Sequence, residues 1–244
     1  MERLCDLLFE LSSTERMRIL QRLLEGKLKL SHISQELGIT VTETSRHLQR
    51  LQEAGLLGRD SDSLYYLTNY GESALTLIGG LNILSQNREY VLQHDLSVLP
   101  PEFVQRLGAF KGVRLVEDTL TGIRLTEMMY QKATEYIWVL SEQILVSALP
   151  YIQQSIEKGA EFRFIFPEDL NPPPGFEPMS GALERALPDV KLRLALTEKE
   201  ALICLPYLHG ALDYTPFIGD DPEFLKWCHD LFLHFWDQGI QHSD

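Results

Sequence analysis

Near the start of the chain, apolar residues recur every three or four positions, which is the spacing of amphipathic helices. The pattern predicts a first helix over residues 13–25, with Ser13 as its N-cap and Gly26 as its stop. A second, short helix is predicted in the segment SHISQELG that follows. We expect Ser31 to cap this helix and Gly38 to end it, because glycine readily takes the positive φ needed there.

The third predicted helix has two chemically different sides. It opens with an S/T-x-x-E capping box from Thr40 to Glu43 and stops at Gly55. At about 100° per residue, one side is mainly apolar and is expected to pack on the preceding helices. The other side carries hydroxyl, amide and guanidinium groups, which can bond to phosphates and base edges in a major groove. The residues on that side are Thr42, Ser45, Arg46, Gln49 and Glu53, flanked by Arg50.

A β-hairpin is predicted directly behind this helix. Two short apolar runs between residues 56 and 68 flank Asp-Ser-Asp-Ser, which is turn chemistry. Such a hairpin forms a wing, on which Arg59 and Tyr65 could reach the DNA backbone or a minor groove. A polar helix face can also be ordinary solvated surface, but the ordered series of helices, capping box and hairpin favours DNA binding.

Residues 71–93 have the apolar spacing of a further helix, with a weak point at Gly79-Gly80. Helix-turn-helix proteins usually read two half-sites about 34 Å apart, and an apolar helix leaving a winged helix is often a dimer contact. We therefore expect two chains to form a homodimer through this connecting helix. The alternative is that the helix packs on its own domain.

The remaining residues predict an α/β domain. Residues 135–140 and 161–166 are nearly continuous apolar runs, as in buried parallel strands, with an amphipathic helix predicted between them over 144–158. Together they predict a right-handed βαβ unit. Further predicted elements are strands over 189–196 and 201–205 joined by a turn at 197–200, a surface loop at 172–175 and a final helix over 222–238.

Charge is distributed unevenly along the 244 residues, whose formal net charge of −13 argues against coating of nucleic acid by bulk positive charge. Residues 1–94 carry a net charge of −2 and residues 95–244 carry −11. Within 12–59, eight basic residues face five acidic ones, a net charge of +3. The acidic total therefore leaves room for a local basic site.

We divide the chain into a winged helix-turn-helix domain (1–70), a connecting helix (71–94) and an α/β domain (95–244), with a Pro-Pro pair at 100–101 near the second boundary.

Cysteine usage and hydropathy place the chain in the cytoplasm, with no membrane partner. The three cysteines are dispersed without metal-site spacing, which is typical of free thiols in an intracellular protein. They are Cys5, Cys204 and Cys228. The charged N-terminus is unlike a signal peptide, and no stretch approaches the roughly 18 apolar residues of a membrane span. His229 and His234 lie on different sides of the last helix, so we expect no metal site and a surface pairing of His234 with the nearby aspartates 230 and 237.

The run HISQELGITVTETSRHLQRLQEAGLLGRDSDSLYYLTNYG resembles the winged helix of ArsR-type and related archaeal transcriptional regulators. The resemblance implies that the third helix enters a major groove and that Ser31 contacts a phosphate. The groove-facing residues would be Thr42, Ser45, Arg46, Gln49 and Arg50. Metal-sensing members of the family use clustered Cys, His and Asp ligands, whereas the third helix here has no cysteine and only His47. The resemblance therefore does not extend to metal sensing.

Two later segments, HDLSVLPPEFVQRLGAF and FIGDDPEFLKWCHDLFLHFWDQG, resemble archaeal two-part regulators, notably those of methanogens, that join a winged helix to a C-terminal sensory domain. The layout of this half looks like the phospholipase-D-like sensory domain of archaeal sugar-responsive regulators. Active phosphodiesterases of that kind need an HxK motif, which the chain lacks, and nucleotide-binding glycine motifs and G-x-S-x-G are also absent. We expect a sensory domain without catalysis or a cofactor. Its ligand pocket would lie at the carboxyl ends of the parallel strands, near Ser141, Glu142 and Glu168.

The sequence thus predicts an α+β and α/β protein that acts as a homodimeric, ligand-responsive, DNA-binding transcriptional regulator and is not an enzyme. One alternative is a phosphodiesterase or nuclease with a DNA-binding tether, which the missing HxK motif disfavours. The other is a winged helix that binds protein. Salt titration separates that alternative from double-stranded DNA binding, which weakens steeply with salt.

Overall fold

The computed structural model describes residues 2–173, 176 and 179–241. The chain divides into two compact units, residues 1–79 and 80–244. The predicted loop at 172–175 lies partly outside the described residues. Among the helices of the described residues, none has the length and apolar character needed to cross a membrane.

The first unit is a winged helix-turn-helix preceded by one additional helix. The three predicted helices are confirmed as α2, α3 and α4, and the predicted hairpin as β2 and β3; the sequence pattern did not predict α1 or β1. The elements are α1 (Glu2–Leu11), α2 (Thr14–Leu23), β1 (Leu28–Lys29), α3 (Leu30–Leu37), α4 (Val41–Glu53), β2 (Leu57–Arg59), β3 (Leu64–Leu67) and α5 (Asn69–Gln86), the last of which runs past residue 79.

One apolar cluster forms the core of the first unit. Ile19 and Leu20 on α2, Ile33 on α3, and Leu48 and Leu51 on α4 are all fully buried. Burying an aliphatic side chain of this size contributes about 1.5–3 kcal/mol. Burial of Leu48 and Leu51 therefore determines which side of α4 faces solvent.

The predicted helix caps at Ser13, Gly38 and Thr40 are confirmed, whereas the predicted cap at Ser31 is wrong. Helix α2 ends at Leu23, before the predicted stop at Gly26. Ser13 caps α2, Gly38 ends α3 at φ +67°, and Thr40 opens α4 with both hydrogen bonds of the capping box. Ser31 does not cap α3, because the helix begins one residue before it, with Lys29 in the N-cap position and no side-chain cap. Strand β1 ends at Lys29 and leads directly into the helix, so the chain has no room for the expected cap.

The wing is a three-stranded antiparallel sheet in the order β1-β3-β2. Arg59 on β2 pairs with Tyr65 on β3, and Lys29 on β1 pairs with Leu64 on β3. Ser63 takes φ +63° in the tight turn between β2 and β3.

The predicted connecting helix forms as two helices, α5 and α6 (Arg88–Gln93). The break lies at Asn87, which has φ −107° and ψ 29°, and not at Gly79-Gly80, which lies inside α5. The Asn87 side-chain amide donates to the carbonyl oxygen of Ile83 at 2.9 Å, a local bond that competes with regular helix.

The second unit is built around one eight-stranded sheet. Short 3-10 turns lie at Leu96–Val98, Leu107–Phe110 and Val146–Ala148. Its helices and strands after α6 are α7 (Pro101–Val104), β4 (Arg114–Leu115), α8 (Thr119–Lys132), β5 (Tyr136–Leu140), α9 (Leu149–Glu157), β6 (Glu161–Pro167), β7 (Ala182–Leu187), β8 (Arg193–Thr197), β9 (Ala201–Cys204), β10 (Phe217–Gly219), α10 (Pro222–Gln238) and β11 (Ile240–Gln241).

The sheet has the order β11-β7-β6-β5-β8-β9-β10-β4, and β5, β6 and β7 are parallel while the other pairings are antiparallel. Side chains alternate between its two faces: Trp138 and Leu140 join the cluster under α10, whereas Ile137 and Val139 join the cluster under α8 and α9. The sheet is therefore covered by helices on both faces, as the α/β prediction required.

The parallel pairing of β5 with β6 and the final helix α10 are confirmed. The intervening helix begins at Leu149 and not at residue 144, because Pro150 is tolerated in a first turn but not in a helix interior. The pattern did not predict α8 or the strands β4, β7, β10 and β11.

The inner side of α10 packs aromatic side chains into the core. Phe224, Trp227 and Phe232 are fully buried. The predicted partners of His234 are wrong: its Nδ1 lies 3.9 Å from a carboxylate oxygen of Glu102 on α7. Only packing between elements distant in sequence brings these two residues together.

Candidate nucleic-acid interface

The outer side of α4 presents polar side chains to solvent. Thr42, Ser45, Arg46 and Gln49 are all exposed. Thr44, on the inner side with Leu48 and Leu51, is fully buried. Burial of the apolar positions therefore brings the four predicted contact residues together on one accessible strip.

The capping box fixes the start of that strip. The Thr40 hydroxyl oxygen accepts the backbone N–H of Glu43 at 3.2 Å, and the Glu43 carboxylate accepts the Thr40 backbone N–H at 3.2 Å. The Thr40 hydroxyl also donates to Glu43 at 2.7 Å. These bonds hold the pKa of Glu43 below its usual value, so the carboxylate is ionised at neutral pH and favourable for the helix N-terminus.

Arg46 and Arg50 lie one helical turn apart but have different surroundings. Arg50 donates to Glu10 on α1 at 2.6 Å, and its guanidinium lies 5.2 Å from the Phe9 ring centre. Glu10 also forms an ion pair with Arg16 at 3.1 Å. Within the described residues, by contrast, Arg46 has no hydrogen bond or ion pair to another side chain. Arg46 is thus the available guanidinium on this strip, and a DNA contact by Arg50 stays a prediction that requires competition with Glu10.

Gln49 has a local partner as well. Its side-chain amide donates to the Glu53 carboxylate at 2.8 Å, one turn further along α4. This bond orients the Gln49 amide and leaves its carbonyl oxygen as an acceptor on the exposed side. Contact of Gln49 with a base stays a prediction.

The wing places its two predicted contact residues differently. Arg59 is exposed at the end of β2, and its guanidinium lies 5.4 Å from the centre of the Tyr65 ring. Tyr65 is only 6% exposed and belongs to the core cluster, so the prediction that it reaches DNA is wrong. Side chains alternate along a strand, and β3 turns Tyr65 and Leu67 inward, leaving Tyr66 on the outer face.

Sequence reasoning missed Lys27 and Tyr66 as wing residues. The Lys27 ammonium lies 4.9 Å from the Tyr66 ring centre and 3.2 Å from the Asp60 carboxylate at the hairpin turn. The inward Leu67 could have set the phase of the alternation and identified Tyr66. Ser31, the predicted phosphate contact, is exposed in the first turn of α3.

In the second unit, a cavity lies between helices α8 and α9 and the face of the sheet formed by β5, β6 and β7. It reaches the carboxyl end of β5, where the sequence predicted part of a ligand pocket. Ser141 lines it and is 3% exposed. Glu142 lies beside it and accepts a hydrogen bond from the Tyr214 hydroxyl at 3.1 Å. Glu168 is exposed and is not among the residues lining the cavity, so the structure gives no support for including it.

The buried residue that sequence reasoning missed is Arg193. It is 4% exposed, lines the cavity and begins β8 next to the end of β5. The sequence contains a signal for it, because Arg193 stands between Leu192 and Leu194 in a predicted strand. An arginine at such a position is expected to be buried, and a buried arginine usually has a hydrogen-bonding or charged partner.

Among the described residues, no group of three or more His, Cys, Asp or Glu side chains is arranged to hold a metal ion. His47 on α4 has its Nδ1 buried without a hydrogen-bond partner in that part of the chain. Burial, with the neighbouring positive charge of Arg46, lowers the pKa of His47, so the imidazole is neutral at physiological pH.

Residues 13–58 match the family model described as "Bacterial regulatory protein, arsR family". The match covers α2, α3, α4 and β2, the elements that carry the exposed strip. It supports a DNA-binding regulator of ArsR type for this unit. No curated protein matches the chain significantly.

Solved structures similar to the chain at low identity include the following three. TrmBL2, described as an archaeal chromatin protein with a novel mode of DNA binding, is 15% identical, covers 94% of both chains and has a TM-score of 0.46. NucT from Helicobacter pylori is 9% identical, covering 53% of this chain and 97% of its own, with a TM-score of 0.43. Nuc from Salmonella typhimurium, a phospholipase D family member, is 11% identical, covering 50% and 90%, with a TM-score of 0.39.

Proposed function

We propose that this chain is a DNA-binding transcriptional regulator that reads an operator with the exposed side of α4 and responds to a small molecule bound in its second unit. The observation that carries the proposal is the strip of Thr42, Ser45, Arg46 and Gln49 on a helix inside the segment that matches ArsR-type regulators. Hydroxyl, amide and guanidinium groups are the donors and acceptors that major-groove recognition uses.

In this proposal Arg46 contacts a base edge and the wing holds the backbone. Arginine bonded to guanine in a bidentate manner is the commonest specific contact to DNA. Arg59 on the wing and Ser31 at the start of α3 contact phosphates, which position the protein without reading sequence. The net negative charge of residues 95–244 keeps DNA away from the second unit.

The proposed regulator is a homodimer. Leu4 and Leu8 on α1, and Leu77 on α5, are exposed apolar side chains of the first unit, with Leu77 80% exposed. Covering them in a symmetric pair would remove apolar surface from water and present two copies of α4 to successive turns of the groove. Sedimentation equilibrium of the full chain tests this, since a monomer at micromolar concentration contradicts it.

The second unit acts in this proposal as a sensor and not as a catalyst. The sequence lacks the HxK motif of phospholipase-D-type phosphodiesterases, and its seven histidines include none followed by a lysine two positions later. A hydrolysis assay on a generic phosphodiester tests this, and turnover that survives extensive purification contradicts it.

The decisive variant is Arg46→Ala, measured on operator DNA recovered from the genome and on a random duplex of the same length. We expect specific binding to weaken by about 1–3 kcal/mol, or about 5- to 150-fold, and selectivity to relax. Arg124→Ala, which removes an exposed arginine from α8 in the second unit, is the charge-matched control and should leave both affinities unchanged. An equal loss on operator and random duplex contradicts base reading by Arg46.

A further inference from the structure

We propose that the cavity between helices α8 and α9 and the sheet binds a small monocarboxylate with an apolar body, and that Arg193 holds the carboxylate. The role of this ligand as an effector rests on the proposed function, whereas its binding to the second unit can be measured independently of DNA.

One end of the cavity lies beyond the carboxyl end of β5, at Ser141. Strands β5 and β6 run parallel, and β8 runs antiparallel beside β5, with Leu194 opposite Leu140. This register brings Arg193 next to Ser141, the first residue after β5. Open α/β sheets bind ligands in the crevice beyond the carboxyl ends of their strands.

Most of the cavity wall is apolar. Val139 on β5, Ile152 on α9, and Phe162 and Phe164 on β6 line it, and each of these side chains is less than a tenth exposed. Such a wall favours a compact hydrocarbon or aromatic body and offers few partners to a sugar with many hydroxyl groups.

Arg193 is the positive group of this cavity. Its Nη2 donates to the Thr126 hydroxyl oxygen at 3.3 Å, and its positive charge lies near the Tyr130 hydroxyl, whose raised pKa it opposes. The Thr126 hydroxyl in turn donates to the carbonyl oxygen of Gly122 at 2.9 Å, so its oxygen is oriented to accept from Arg193. Both contacts come from α8 and hold the guanidinium in place. A guanidinium has five N–H donors, and the one hydrogen bond to the neutral Thr126 hydroxyl does not use all of them.

The charges around the cavity favour one negative charge on the ligand. A carboxylate matches the planar fork of a guanidinium, and charge-assisted bonds of this kind are about twice as strong as neutral ones. The carboxylate of Glu184 also lines the cavity, and Glu142 lies close by on Tyr214. These acidic groups oppose a phosphate dianion, whose second charge would find no further cation in the wall.

The test is calorimetric titration of the full chain with phenylacetate, benzoate and hexanoate, each compared with its neutral amide. We expect at least one acid to bind saturably and at least about tenfold more tightly than its amide, because the amide lacks the charge that Arg193 recognises. Arg193→Gln should abolish this preference. Arg124→Gln, an exposed arginine on the same helix α8 as Thr126 and Tyr130, should retain it.

Arg193→Gln removes a buried side chain and could unfold the protein, so a second variant that keeps Arg193 is also tested. Ile152→Phe adds bulk to the apolar wall and should weaken acid binding at least about tenfold while circular dichroism stays native. No saturable binding of any acid at millimolar concentration, equal binding of acid and amide, or unchanged binding by folded Ile152→Phe would overturn the proposal. Acid binding without operator binding would retain the site and refute the regulator function.

Discussion

Gly71, in the first turn of α5, lies against the backbone of Leu56, just before the wing begins. A Cβ atom built at Gly71 would overlap the carbonyl oxygen of Leu56 and lie 3.1 Å from its carbonyl carbon. That carbonyl accepts the backbone N–H and the hydroxyl of Thr68 at 3.1 and 3.2 Å, so it is not free to move. The change Gly71→Ala therefore has to push two backbone segments apart.

The sign of the effect follows from two opposing magnitudes. Alanine in a helix interior is favoured over glycine by about 1 kcal/mol, whereas overpacking costs about 1–3 kcal/mol and more when backbone must shift. We expect Gly71→Ala to lower the free energy of unfolding of the first unit by about 1–2 kcal/mol. For a unit of this size, each kcal/mol lowers the Tm by about 4–8 °C. Gly80→Ala in the same helix is the matched control. Its Cβ would meet nothing closer than the backbone nitrogen of Gly108 at 3.6 Å, so it should be neutral or stabilising by up to about 1 kcal/mol.

The two units can be followed separately in one denaturation experiment. All three tryptophans lie at positions 138, 227 and 236, in the second unit, whereas far-UV circular dichroism reports the helices of both. Unfolding of the first unit changes the circular dichroism without changing the tryptophan fluorescence. Gly71→Ala should move this part of the transition to lower temperature. A Gly71→Ala protein as stable as Gly80→Ala would refute the reasoning from the Leu56 contact.

Further predictions concern the thiols and a turn carboxylate. Burial raises the pKa of Cys204 to about 12 and that of Cys228 well above its usual value, while Cys5 is exposed, so a thiol reagent at pH 8 should titrate one cysteine in the native chain and three in denaturant. Rapid reaction of two or three native thiols would contradict this burial. Partial burial raises the pKa of Glu198, but hydrogen bonds from Thr134 and Lys199 outweigh it and lower the pKa to about 2 from 4.5. A lowered folded-state pKa stabilises the fold above about pH 4.5 and loses that contribution as pH falls towards 2, so Glu198→Gln should cost stability at pH 6 and progressively less down to pH 2; a cost independent of pH would contradict the assignment.

Local sequence signals predicted the exposed polar strip of α4 well. The capping box at Thr40 and the stop at Gly38 depend on neighbouring residues only, and both form as expected. The inner and outer sides of α4 followed from helical periodicity, because Leu48 and Leu51 have a core to enter. Elements with such short-range determinants are accessible without a structure.

Features that depend on a partner distant in sequence were missed or wrongly predicted. Strand β1 is two residues long and exists because it pairs with β3, so neither its presence nor the displacement of Ser31 from the cap was visible locally. Arg50 is bound by Glu10, 40 residues away, and Arg193 by Thr126, 67 residues away. Short edge strands such as β11 likewise have too few residues for a period to show.

Tyr65 shows a different limit. Strand β3 has tyrosines at two successive positions, so one of them points inward and the other outward. Aromatic composition alone does not show which tyrosine is the inward one. Pairing with β1 and β2 fixes the phase, which buries Tyr65 and exposes Tyr66 in part.

The most direct test of the account is the affinity of the full chain for an operator duplex and for a scrambled duplex of equal composition, measured by fluorescence anisotropy across a salt series. The exposed arginines of α4 and the wing predict that the logarithm of the binding constant falls linearly with the logarithm of salt concentration on both duplexes. They also predict that the operator is bound at least about 10³-fold more tightly than the scrambled duplex at physiological salt. Binding that does not respond to salt, or equal affinity for the two duplexes, would contradict the claim that α4 reads DNA.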